Sequence, residues 1–90
     1  MDELYEDIDR LLRTYNAYRK SEVIAELLSL DGELLKVRFR GKYCVLYSRV
    51  KSWIDDFKDV ASSYGIKLEF LGYEDKGINY EVGLFRIIKY

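Results

Sequence analysis

Residues 21–47, SEVIAELLSLDGELLKVRFRGKYCVLY, decide the fold. In their middle, Leu35, Val37 and Phe39 alternate with Lys36, Arg38 and Arg40, the period-two signature of a strand with one dry and one wet face. Gly41-Lys42 is a turn signal, and Tyr43 to Tyr47 reads as the returning partner strand. Upstream of the alternation, Val23, Ile24, Leu27 and Leu28 fall at helical spacing behind Ser21, a residue type favoured at helix N-caps. Asp31-Gly32 then ends that helix, the glycine supplying a left-handed cap.

Working outward, Leu4, Tyr5, Ile8, Leu11, Leu12 and Tyr15 predict a first helix from Asp2 to about Tyr18. Acids occupy its first turn and Arg10, Arg13 and Arg19 its second half, as the helix dipole prefers. The stripe loses phase between Asn16 and Ser21, so either two helices or one long kinked helix fits residues 2–31. Downstream, Val50, Trp53, Ile54, Phe57, Val60, Ala61 and Tyr64 form the cleanest helical stripe of the chain, with Ser48 as its cap and Gly65 closing it. Ile66, Leu68 and Phe70 alternate with Lys67, Glu69 and Leu71; Glu74 to Gly77 turns the chain, and Ile78 to about Lys89 returns, with a bulge expected at Gly83. The expected architecture is a two-layer α+β domain over residues 1–90, with an antiparallel four-stranded sheet and helices on one face. Its element order reads α-α-β-β-α-β-β, a helical part over 1–32 followed by a ββαββ part over 33–90.

The composition excludes several functions. A chain of 90 residues with no histidine and one cysteine cannot assemble a Ser-His-Asp or Cys-His nucleophile system, nor a zinc site of the usual kind. The lone Cys44 has no intrachain disulfide partner, which points to a cytoplasmic location. No run approaches the ~20 apolar residues of a membrane span, and the acidic start is unlike a signal peptide. Abundant charge with no glutamine and only two asparagines, Asn16 and Asn79, leans toward a thermophilic, archaeal source, against which the absence of proline counts.

Net charge is −1, yet it is segregated: residues 1–33 sum to −5, residues 34–54 to +6 with no acid among them, and residues 55–90 to −2. A hairpin turning at Gly41-Lys42 would gather Lys36, Arg38, Arg40, Tyr43, Val45 and Tyr47 on one sheet face. With Lys42, Arg49 and Lys51 nearby, that face suits nucleic acid, its cations neutralising phosphates and its tyrosines stacking on bases. The competing reading is an ordinary solvent face whose cations are satisfied by the acidic first helix. Val45, Leu71, Tyr73 and, on one register, Phe85 and Ile87 are expected to point away from the helices too. That mixed aromatic, apolar and cationic surface resembles a protein interface, and homodimerisation through the sheet or its edge would enlarge a small core.

Catalysis finds little support. Asp55 and Asp59 share a helix face but lie where solvated carboxylates are ordinary, with Lys51 and Lys58 in reach. Glu69 and Glu81 would face each other only on one strand register. Cys44 and Trp53 read as core, and no phosphate-cradling glycine motif occurs. The expectation is therefore a non-enzymatic interaction domain without metal or cofactor, self-associating through the outer sheet face, with nucleic-acid binding by the 36–51 segment as the alternative.

Overall fold

The computed structural model describes residues 2–19, 23–41, 47–77 and 79–90. The elements are α1 (Asp2–Arg19), β1 (Ile24–Asp31), β2 (Leu34–Arg40), α2 (Tyr47–Ser63), β3 (Lys67–Lys76) and β4 (Tyr80–Lys89). All strand pairs are antiparallel, and the sheet order is β1-β2-β4-β3. Both helices pack on the same face, α1 toward β1 and α2 toward β3. The α+β class and the antiparallel four-stranded sheet agree with the sequence reading, while two elements differ from it.

The first difference is residues 24–31, expected as helix and found as strand. Over so short a span, Val23, Ala25 and Leu27 satisfy period two as well as Val23, Ile24, Leu27 and Leu28 satisfy the helical period, so periodicity cannot choose. Pairing chooses: β1 runs alongside β2 from Ile24↔Arg40 to Asp31↔Leu34, with an extra residue accommodated between Leu27 and Ser29. Gly32 has φ 61°. It sits first in the two-residue loop Gly32-Glu33, where a type II′ hairpin turn requires a positive φ. The same glycine that signals a helix cap therefore makes a β-turn.

The second difference is the hairpin expected at Gly41-Lys42. Residues 42–46, including Lys42, Tyr43, Cys44 and Val45, lie outside the described residues, whereas Tyr47 already belongs to α2. The strand 34–40 is flanked instead by β1 and β4. The bulge expected at Gly83 is also displaced. β4 pairs with β2 without a register shift, and the irregularities fall in β3, at Lys67/Leu68, Phe70/Gly72 and Tyr73/Asp75.

The core joins Ile8, Leu11 and Tyr15 of α1, Trp53, Phe57 and Ala61 of α2, and Leu35, Val37, Phe39, Leu68, Phe85 and Ile87 of the sheet. At its centre, the Phe39 ring meets Tyr15, Phe57 and Phe85 at centroid distances of 5.9, 5.4 and 6.3 Å, mostly edge to face. Gly83 lies beneath this cluster: a Cβ there would stand 3.3 Å from both the Phe70 and Phe85 rings. Glycine at this strand position leaves room for the rings to close over the backbone. The Tyr15 hydroxyl donates to the Trp53 carbonyl at 3.1 Å and ties the two helices together. No helix among the described residues is long and apolar enough to cross a membrane.

Candidate interaction surface

The sheet's outer face follows from strand alternation. On β2, Leu35, Val37 and Phe39 are buried, so Leu34, Lys36, Arg38 and Arg40 point away from the helices, as the sequence implied. The register places Arg40 between Ile24 and Tyr80, Arg38 between Glu26 and Val82, and Lys36 between Ser29 and Leu84. The cross-strand neighbours of these cations are thus residues of β1 and β4, and Tyr47 belongs to α2, while Tyr43 and Val45 lie outside the described residues. Arg49 and Lys51 belong to α2, not to the sheet.

Each of the three β2 cations has a carboxylate partner, and the partners come from the sheet, not from the first helix. Glu26 Oε1 lies 3.2 Å from both Arg38 Nε and Arg40 Nε. Lys36 Nζ lies 2.9 Å from Glu74 on β3, and Arg86 stands 3.6 Å from Glu69 and 3.9 Å from Glu33. Two acids of α1 are engaged elsewhere: Asp9 pairs with Arg13 at 2.9 Å, and Asp7 accepts from the Tyr90 hydroxyl at 2.7 Å. That hydrogen bond, reinforced by burial and by the charges of Asp7, Glu3 and Glu6, pushes the Tyr90 phenol up to about 12.

The sequence hid Glu26 because its segment read as helix. Its desolvation favours the neutral acid, but the hydrogen bond and charge of Arg38, followed by those of Arg40, outweigh it and hold the carboxyl below its usual value. A lowered folded-state pKa stabilises the fold above the unfolded value, ~4.3, and that stability is lost as pH falls through the folded value. Glu26→Gln is therefore expected to cost ~0.5–1 kcal/mol at pH 7, a modest figure because the group is about a third exposed and screened by solvent. Urea unfolding of both proteins at pH 7 and pH 3 measures this, and the gap should be smaller at pH 3.

Between the ion pairs lie apolar side chains. Ile24, Leu34, Leu71 and Ile88 are 42, 39, 40 and 53% exposed. Leu84 is half-buried among them and Val82 is buried although it belongs to this face, outside the main core cluster. Of the residues expected to form an outer interface, Val45 lies outside the described residues, and among the described ones only Leu71 is found there. Phe85 is fully buried in the core, because β4 keeps strict alternation through Gly83 and so turns Leu84 outward and Phe85 inward. Ile87 follows Phe85 into the core. Tyr73 pairs with Gly83 on the inner side and packs against Phe70 at 5.1 Å, since the bulge after Phe70 resets the phase of β3. Leu34 and Ile88 replace them as exposed apolar members.

The two carboxylates weighed as an acid/base pair are separated by the sheet itself. Glu69 is exposed on the outer face and Glu81 is buried on the inner one. Glu81 Oε1 lies 3.8 Å from Lys76 Nζ, while its Oε2, like Trp53 Nε1, has no hydrogen-bond partner. Asp55 and Asp59 are both exposed on α2.

Neither a protein-family model nor any curated protein matches this sequence.

Proposed function

We propose that this protein is a small non-enzymatic interaction domain of the cytoplasm that self-associates through the outer face of its sheet. The observation that carries this reading is the uncovered face itself: Ile24, Leu34, Leu71 and Ile88 stand exposed on the face that also carries Val82 and Leu84. The neighbouring cations are already neutralised by Glu26, Glu74, Glu69 and Glu33. Apolar side chains interleaved with satisfied ion pairs are the mixed chemistry of protein interfaces. The size is also suitable. Four strands ~4.8 Å apart and roughly 8 residues long cover ~500 Å² in plan, which corrugated side chains raise toward the ~800 Å² per partner of a stable interface.

Nucleic-acid binding is the weaker reading, because a phosphate would have to displace a carboxylate from each of Lys36, Arg38 and Arg40. Light scattering after size exclusion, at ~50 and ~500 mM salt, with and without a mixed-sequence oligonucleotide, separates the two, since phosphate binding weakens steeply with salt. The expected result is a dimer indifferent to oligonucleotide, with Leu71→Lys and Ile88→Lys giving folded monomers. A wild-type monomer, or a dimer unaffected by both lysines, would reject the sheet face as the interface. A salt-sensitive shift with oligonucleotide, abolished by Arg38→Glu, would replace this reading with the nucleic-acid one.

A further inference from the structure

The β1 edge of the sheet is held by side chains of α1. In an antiparallel ladder, alternate residues direct their backbone groups to the neighbouring strand and the others direct theirs away from it. Counting from the hairpin-closing pair Asp31↔Leu34, the outward residues of β1 are Leu30, Leu27 (after the extra residue at 28) and Ala25. α1 engages two of these three. The Asn16 side-chain amide donates to the Ala25 carbonyl at 3.0 Å, and its oxygen accepts from the Ala25 N–H at 2.7 Å, the pair of bonds an added strand would make. The Tyr5 hydroxyl donates to the Leu30 carbonyl at 3.4 Å.

The spacings match. Tyr5 and Asn16 are eleven residues apart, ~16 Å along a helix and within ~20° of each other around its axis. Ala25 and Leu30 are five residues apart, ~16 Å along a strand. α1 runs antiparallel to β1, so a single line on its flank meets both outward positions. Leu12, seven residues after Tyr5, falls on the same line, level with Leu27.

We propose that α1 is an edge lock: Asn16, assisted by Tyr5, closes a latent strand-addition site on β1 whose occupant, once the lock is released, is β1 of a second copy. The edge suits self-pairing. Centred on Leu27, with the extra residue 28 unpaired in each copy, an antiparallel β1–β1 pair sets Ala25 against Leu30, Glu26 against Ser29 and Ile24 against Asp31, so that no like charges oppose one another. Unprotected edges are templates for such pairing, and native folds cover them. The lock is independent of the outer-face reading, and it directs wild-type association away from this edge.

The test is made in the Leu71→Lys/Ile88→Lys background, so that the outer face does not contribute whatever its role. Adding Asn16→Ala and Tyr5→Phe is expected to raise the mass seen by light scattering at least about twofold, as a symmetric edge-to-edge pair requires. Adding Ser29→Glu should then return it to the parent value by opposing Glu26 of the other copy. An unchanged mass in a folded Asn16→Ala/Tyr5→Phe protein, or an increase that Ser29→Glu leaves intact, overturns the lock. A second measurement needs no substitution. Amide exchange of the wild-type protein should protect Ala25 at least about tenfold more than Leu27, the outward residue without such a clamp. Equal exchange at the two amides would overturn the lock as well.

Discussion

Phe39→Ala should cost ~3–5 kcal/mol, the range for deleting a buried aromatic ring. Phe39 is fully buried, with the rings of Tyr15, Phe57 and Phe85 around it and Gly83 beneath. It thus joins β2 to α1, α2 and β4, and the neighbours that would have to collapse into the space belong to three separate elements. For a domain of ordinary stability, ~5–15 kcal/mol, this is a large fraction of the whole. Urea unfolding at 25 °C measures it as a shift in midpoint at constant slope, which separates lost stability from a changed unfolded state. A loss under ~1.5 kcal/mol would mean that the aromatic cluster repacks freely and does not organise the core.

Glu81→Met should raise stability at pH 7 by ~1–2 kcal/mol. A buried carboxylate with one unpartnered oxygen carries a desolvation cost that a partner 3.8 Å away does not fully offset, and an apolar side chain of similar length has no such cost. Lys76 is itself more than half exposed, so losing Glu81 leaves no buried cation behind. The pH dependence gives the stronger test. Burial pushes the Glu81 carboxyl up, and the Lys76 charge and a hydrogen bond from the Tyr73 hydroxyl pull it back only in part. With the folded value above the unfolded one, the folded state keeps its proton longer, and wild-type stability falls as pH rises from the unfolded value, ~4.3, toward the folded one. The advantage of Glu81→Met should therefore be smallest near pH 4 and grow to a plateau above the folded value. Unfolding midpoints of both proteins from pH 4 to pH 8 show whether it does, and an advantage that does not change with pH would show that ionised Glu81 is not penalised by the fold.

Much of this arrangement is legible in single elements. The stripes of α1 and α2 and the alternation of β2 name nearly every buried residue they contain, because each element is long enough for one period to prevail. The outward direction of Lys36, Arg38 and Arg40 needs only that alternation. The partners of those cations are a different matter. Glu26 becomes visible only when residues 24–31 are known to be a strand, and Glu74 reaches Lys36 only because β3 bulges between Tyr73 and Asp75. The bulges in β3 also explain why Tyr73 turns inward although simple alternation from Leu71 sends it outward. Phe85 was ambiguous for a related reason: an apolar pair at Leu84-Phe85 has no preferred phase until β2 supplies one.

Composition and local periodicity were sufficient for the α+β class, the single core and the wet face of β2, because these depend on residue type and short-range spacing. The choice between helix and strand for Ile24–Asp31, the strand order β1-β2-β4-β3, the carboxylate that meets each cation and the Asn16 clamp on Ala25 depend on which segments lie side by side. The contacts that settle them reach from 9 positions apart, Asn16 and Ala25, to 52, Leu34 and Arg86, and no short window of sequence contains both partners.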